Sequence, residues 1–462
     1  MIIKRKDFTI MAKDSTKSMT EGKPFSLIMG FALPVFFGLL FQQFYSMVDT
    51  MIVGKFLGED ALGAVGATGS LNFLIIGFCT GVCNGFAIPV AHQFGAKKDS
   101  NLRRVVANSV WLCLIFAAVM TVITVIFCRN ILTFMNTPAD LIDDSYKYIV
   151  IIFAGIPAVY LYNMVAGIIR SLGDSRTPVY FLALASIINI VLDIVFICLV
   201  HTGVEGAAFA TVISQAVSGV ACVLYMKKKF PILKISKEEW KFDSHWAKTL
   251  CSMGIPMGLQ YSITAIGSVI LQTSVNSLGK LYVTSVTAAQ KLAILFWCPY
   301  DALGTTMATY AGQNVGAGKL DRIGPGVKTA VKIGLVYSIF LFVVLNLFSS
   351  KLLLLFVNAD STDVIKNAGT YILFGSSAYF LLSLVNIIRF SIQGLGFSQF
   401  AILAGLFEMI ARTIAAFGLV PFIGYYGVCL ADPLAWIFAD CFLIPAFFRC
   451  MRVCRKRMGQ NI

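Results

Sequence analysis

Two aspartates in otherwise apolar stretches are the residues of this chain best suited to chemistry. Asp49 is the one carboxylate between Phe31 and Gly58, and Asp193 follows Asn189 by four residues in a second apolar stretch. A charge at bilayer depth costs about 2.5–3.5 kcal/mol on insertion scales, so an acid there marks an ion or substrate path. Two carboxylates held together in a low dielectric cannot both stay ionised cheaply, so the pair would carry a proton. The same oxygens, joined by the side chains of Asn189 and Thr211, would equally cage a hard cation such as Na+. Residue types do not separate the two readings. The expected ion-coupling set is Asp49, Asn189, Asp193 and Thr211, with H+ or Na+ as coupling ion and no other cofactor.

Membrane-spanning helices must position these groups. The chain has 462 residues, 58% hydrophobic and 13% charged, with a mean hydropathy of +0.81. A soluble domain carries about 25% charged residues, so half the usual charge is missing. Twelve apolar blocks cover residues 25–54, 61–92, 105–128, 145–169, 178–200, 204–226, 250–277, 281–311, 329–349, 367–393, 400–420 and 428–448. Each has about the 20 residues that a span needs. Counted from the ends of their blocks, Asp49, Asp193 and Thr211 lie about 5 to 7 residues, or roughly 8–10 Å, inside one surface. Asn189 is one helical turn deeper than Asp193 on the same face. Four oxygen-bearing side chains on three helices thus share a level.

The distribution of cations sets the orientation. Of 37 Lys and Arg residues, 27 fall in the two tails and alternate connectors and 6 in the other connectors. The positive-inside rule then puts both termini and the connector 227–249 in the cytoplasm. That bias accounts for the net charge of +14, and no separate basic domain exists to bind nucleic acid. A removable signal peptide is not expected. Most of the 12 cysteines lie within apolar blocks, no C-x-x-C pair occurs, and His92, His201 and His245 are far apart. Disulfides and a metal centre built on these residues are not expected. No basic residue is expected in the membrane part of the first half, which leaves both aspartates without a salt-bridge partner.

The chain repeats itself. Pro34 and Pro256, Gln93 and Gln313, and Gly173 and Gly396 recur in order at offsets of 220 to 223 residues. Ala91-His-Gln-Phe-Gly-Ala-Lys-Lys98 parallels Ala311-Gly-Gln-Asn-Val-Gly-Ala-Gly-Lys319. The expected architecture is all-α, with twelve transmembrane helices in two six-helix lobes related by a pseudo-twofold axis along the membrane normal. The expected divisions are a tail at 1–24, an N-lobe at 25–226, a linker at 227–249, a C-lobe at 250–448 and a basic tail at 449–462.

The two six-span halves, the Gln313–Lys319 connector, Arg389-x-x-x-Gln393-Gly-Leu-Gly396 and the Asp49 helix resemble the multidrug and toxic compound extrusion (MATE) transporters, over nearly the whole chain. Asp49 and Asn189-Ile-Val-Leu-Asp193 resemble in particular the DinF-like bacterial branch. Thr264 stands where the NorM branch has an acid, so the resemblance does not extend to a second-lobe cation site of that type. It implies a multi-pass protein of a bacterial cytoplasmic membrane and an ion site at Asp49, Asn189, Asp193 and Thr211.

The second half is richer in charge. Lys291, Arg389 and Arg412 share it with Asp301, Glu408, Asp432 and Asp440, and Glu408 and Arg412 have i,i+4 spacing. These groups either form a structural ion-pair network or orient substrate. Asp440 is expected to pair with the tail arginines. The candidates for a substrate cleft are Gln42, Gln43, Tyr45, Tyr261, Lys291, Arg389 and Arg412, with aromatic faces suited to flat organic cations. Pro34 would bend the first helix, either as a fixed kink or as a coupling element. The expected function is a monomeric antiporter that exports organic cations or amphiphiles in exchange for H+ or Na+. A flippase for lipid-linked saccharides is the alternative. A membrane transferase is disfavoured, because no nucleophile–base motif or P-loop is present.

Overall fold

The computed structural model describes residues 17–135 and 137–459, so Lys4, Arg5, Lys6 and Lys13 of the expected basic tail lie outside the described residues. The described chain is all-α. Ten helices are long and apolar enough to cross a membrane, and two bent pairs bring the spans to twelve. In the first half these are α1 (Pro24–Leu57), α2 (Glu59–Ala67) leading into α3 (Gly69–Gly95), α4 (Asp99–Phe134), α5 (Ile142–Ala154) with α6 (Ile156–Ser171), α7 (Arg176–Asp193) and α8 (Val204–Lys229). In the second half they are α9 (Ser244–Ser277), α10 (Lys280–Gly316), α11 (Ile323–Leu353), α12 (Thr362–Ser377) with α13 (Tyr379–Gly394), α14 (Gln399–Ile414) with the short α15 (Val420–Ile423), and α16 (Tyr425–Arg457). Helices satisfy their own backbone groups, as a bilayer requires.

The fourth and tenth spans are each broken into two helices. α5 meets α6 at 45° and α12 meets α13 at 49°. Gly155 separates the first pair, and Pro157 near the start of α6 can donate no hydrogen bond back into α5. Ala378 separates the second pair without any proline. α1 runs unbroken through Pro34.

The halves share fine detail. Six-residue and five-residue π segments, Ile194–Leu199 and Ala415–Leu419, follow α7 and α14. Left-handed glycines recur in pairs at Gly58 and Gly279, Gly173 and Gly396, and Gly203 and Gly424. Lys97 (φ 55°) takes the left-handed conformation where Gly318 (φ 71°) stands in the second half.

Two apolar cores result, and the first helix of each half links them. Ile28, Phe31, Ala32 and Val35 of α1 belong to the core of the second half, whereas Val53 belongs to that of the first. Reciprocally, Ala247 and Leu250 of α9 join the first core, and Leu271 and Val275 join the second.

Between the halves, α3 packs along α9 and α10. Gly81 and Gly85 lie against the backbone of Met257–Gly258 and Met253–Gly254. Gly95 abuts the Gln313 carbonyl and Gly316 abuts the His92 carbonyl, with no room for a Cβ at either glycine. His92 Nε2 bonds the Gly394 carbonyl at 2.7 Å, and Gln313 donates to the Ser171 carbonyl at 2.9 Å. Hydrogen bonds between the halves thus gather at the face that carries the basic connectors. The farthest from that face is Ser262 Oγ to the Leu74 carbonyl at 3.4 Å, near the middle of α9. Past it no hydrogen bond joins the halves among the described residues.

Residues 17–22 cross this basic face. The Lys17 amide donates to the Leu172 carbonyl at 3.2 Å, the Met19 amide to Gln313 Oε1 at 2.7 Å, and Arg322 to the Gly22 carbonyl at 2.7 Å. The segment is therefore tied to both halves. Farther along the same face, the connector between α8 and α9 docks through Glu239, which takes Arg103 Nε at 2.8 Å. The Asp243 amide donates to Asn108 Oδ1 at 2.9 Å.

Two predictions follow from this packing. Gly316→Ala forces the α3–α10 crossing apart and costs about 1–3 kcal/mol as overpacking, read as a lower thermal unfolding midpoint of the purified protein. The Arg103 guanidinium, with the Ser236 amide, holds the Glu239 carboxyl at about 2, below its ordinary 4.5. A depressed carboxyl gives its stabilisation fully above its ordinary value and loses it as pH falls toward the folded value. The connector accordingly stays docked at pH 5 and above and loosens between about pH 4 and pH 2. Hydrogen exchange of residues 234–243 reads this out.

Candidate ion-coupling site

Helix register brings the first-half polar groups together. Asp49 follows Tyr45 by one turn on α1, and the two share a face. Asp193 is the last residue of α7, directly before the π segment, whose wider turn breaks the regular ladder at this place. Asn189 stands one turn earlier, and its Nδ2 donates to Thr211 Oγ1 of α8 at 3.4 Å. α1 packs along α7, and α7 along α8. The carboxyls of Asp49 and Asp193 face each other across the α1–α7 contact. The four residues singled out in the sequence are therefore neighbours.

Their hydrogen bonding is incomplete. Asp193 and Asn189 are buried, and Asp49 is half-buried. Apart from the contact of the two carboxyls with each other, Asp49 Oδ1, both oxygens of Asp193 and Asn189 Oδ1 are shut away from solvent and accept no hydrogen bond. A buried acceptor left without a donor costs about 1–3 kcal/mol, more if charged. Four such atoms in one pocket form a site that a proton or a small hard cation would complete. Neither aspartate joins any ion pair among the described residues.

Three further residues belong here. Tyr45, expected in the cleft, lies beside Asp49, Asp193 and Gln215. Tyr148 of α5 is buried next to both aspartates. Gln215 Oε1 is a fifth buried acceptor without a donor. The i,i+4 relation of Gln215 to Thr211 was available in the sequence, whereas Tyr148 gave no such signal.

The second-half charges form a buried network. Arg389 Nη2 bonds Glu408 Oε1, and Arg412 Nη1 lies 3.7 Å from Glu408 Oε2. Arg412 Nε donates to Asp432 Oδ1 at 3.2 Å, and the Tyr371 hydroxyl donates to Asp432 Oδ2 at 2.8 Å. Asp440 does not pair with the tail arginines. It is buried beside Arg389 and Glu408, and its two oxygens accept no hydrogen bond. Lys291 is exposed and joins none of the ion pairs among the described residues. Gln42 is exposed and Gln43 half-buried.

Arg170 corrects the expectation that the first half lacks an internal base. Its guanidinium donates to Asn84 Oδ1 at 3.3 Å and lies near Tyr162 and Tyr261. Arg170 is one of the 27 basic residues read as tail or connector charges, but it is the penultimate residue of α6. Tyr261 of α9 lies near Asn84 and Arg170 of one half and Asp301 and Arg389 of the other, so these groups gather where the halves meet.

The MatE family model matches residues 34–195 and 256–438. The chain belongs to the MATE family. Members of this family are transporters and not enzymes. The chain is 28% identical over 360 residues to the probable multidrug resistance protein YoeA of Bacillus subtilis (strain 168), which spans 75% of this chain and 78% of that one. It is 27% identical over 213 residues to the DNA damage-inducible protein F of Escherichia coli (strain K12), 46% of each chain. Among solved structures, a MATE protein in complex with MaL6 superposes with a TM-score of 0.89 at 20% identity, over 95% of this chain and 98% of that one. This MATE chain is thus a multi-span membrane transporter with the family's two-lobed fold, and the breaks, π segments and paired glycines described above are features of its lobes.

The two clusters respond oppositely to neutralisation. Glu408→Gln leaves two buried guanidinium groups short of a partner and destabilises the protein by about 3–5 kcal/mol. Asp193→Asn removes a desolvated acid that has no donor, so it leaves the thermal midpoint unchanged or raises it. Thermal unfolding of the two variants in one detergent checks the contrast.

Proposed function

We propose that this protein is a secondary antiporter that expels organic cations or amphiphilic compounds and is driven by inward flow of H+ or Na+ through Asp49, Asn189, Asp193 and Thr211. The observation that carries the reading is the set of buried acceptors on Asp49, Asn189 and Asp193 without any donor. The probable multidrug resistance protein to which the chain is similar supports small drug-like substrates. The 27 basic residues of the tails and alternate connectors support a cytoplasmic location for both ends of the chain. On this orientation the seam of inter-half hydrogen bonds closes the cytoplasmic side.

One elementary charge crossing 100 mV is worth about 2.3 kcal/mol, enough for roughly fifty-fold accumulation per ion. Coupling requires only that ion and drug bind antagonistically, since linkage is reciprocal. The flippase reading asks for free cations in the cleft to hold a phosphate. Arg389 and Arg412 are instead committed to Glu408 and Asp432, which favours the drug antiporter.

Reconstituted protein with proton and sodium gradients imposed separately tests the assignment. Asp49→Asn and Asp193→Asn each abolish gradient-driven efflux of a cationic dye while the protein remains folded. Wild-type efflux in both variants would refute the site.

A further inference from the structure

The two lobes hold the same pocket twice and fill it differently. α7 and α14 each begin three residues after a left-handed glycine, Gly173 and Gly396, so Asn189 corresponds to Arg412. α8 and α16 each begin directly after a left-handed glycine, Gly203 and Gly424, so Thr211 corresponds to Asp432. The breaks at Gly155 and Ala378 pair Tyr148 with Tyr371. These counterparts meet in both lobes. Asn189 donates to Thr211 at 3.4 Å, as Arg412 donates to Asp432 at 3.2 Å. Tyr148 lies beside the first pocket, as Tyr371 bonds into the second.

The two aspartates have no equivalents. From the prolines, Asp49 maps onto Leu271, and from the α7 register Asp193 maps onto Ala416; both counterparts are buried and apolar. The first pocket therefore holds two acids and no base. The second holds a guanidinium between Asp432 and Glu408, at 3.2 and 3.7 Å.

We propose that Arg412 is a built-in cation, fixed by the chain in the place that the exchangeable ion takes in the other lobe, so that the second lobe loads no coupling ion. A tethered guanidinium satisfies the acids around it as a bound ion would, but it cannot leave. One lobe therefore transduces the gradient while the other is held in a single charge state. The proposal rests on the ion site proposed at Asp49 and Asp193. Asp440, beside Arg389 and Glu408, and Asp301, near Tyr261 and Arg389, are the remaining acids of this lobe that could exchange a proton, and the test includes both.

Two measurements on the full chain test this. The first is gradient-driven transport in liposomes by the D49N/D193N variant, in which Arg412 is untouched. Gradient dependence is expected to be lost. Coupling that survives there and disappears on adding D432N, E408Q, D440N or D301N would overturn the proposal, because the second lobe would then exchange an ion. Coupling that survives all of these would remove the first-lobe site instead, and the second measurement would decide alone.

That measurement is thermal unfolding of R412A titrated with millimolar guanidinium chloride, against NaCl at equal ionic strength. R412A is expected to unfold several degrees below wild type and to recover most of that shift with guanidinium but not with NaCl. Wild type and R412A/D432N are expected not to respond, and adding D49N to R412A is expected to leave the recovery intact. A folded R412A indifferent to guanidinium, or a wild type that gains as much, would overturn the proposal. Should R412A fail to fold, the liposome measurement on D49N/D193N still decides it.

Discussion

Two facing carboxyls, one fully buried and one half-buried, with no hydrogen-bond donor from any other residue are the constraint on which the rest of this structure depends. Asp193 is fully buried and neither of its oxygens is satisfied. A polypeptide has easy remedies for such a pair, and the second lobe shows one of them, since Arg389 and Arg412 answer Glu408 and Asp432 directly. The first lobe withholds that remedy at Asp49 and Asp193. Its one internal guanidinium, Arg170, is occupied with Asn84 between the lobes. The desolvation cost at the aspartates is therefore left without a compensating charge from the chain itself.

The packing around the pair fits that reading. α7 ends its regular hydrogen-bond ladder at Asp193 and continues as a π segment. α1 carries Asp49 while its opposite end is embedded in the second core. Any change in the fit of α1 against α7 is therefore felt at the contact between lobes. The glycines of α3 bring backbone against backbone along that contact, and interfaces built so closely have few intermediate arrangements.

Much of this could be read from the sequence, for physical reasons. Apolar runs reveal spans because lipid admits little else, and the recurrence of Pro34, Gln93 and Gly173 as Pro256, Gln313 and Gly396 revealed the duplication that the paired glycines and π segments display. Asp49, Asn189, Asp193 and Thr211 could be grouped because depth along a helix follows from residue count. Lateral packing does not follow from such a count. Tyr148 therefore gives no signal in the sequence, charge spacing pairs Asp440 with tail arginines it does not meet, and Arg170 reads as a connector charge although α6 draws it inward. The break at Ala378 had no proline to announce it, and only its match to Gly155 in the other lobe makes sense of it.

The strap formed by residues 17–22 has a mechanical consequence. Gln313 gives its amide hydrogen to Ser171 in one lobe and receives the Met19 amide on its oxygen. Parting the lobes at this face would break the Gln313–Ser171 bond and strain a strap bonded to Leu172 on one side and to Gln313 and Arg322 on the other. Residues 17–22 thus act as a clasp across the basic face, adding bonds that hold the two lobes together there.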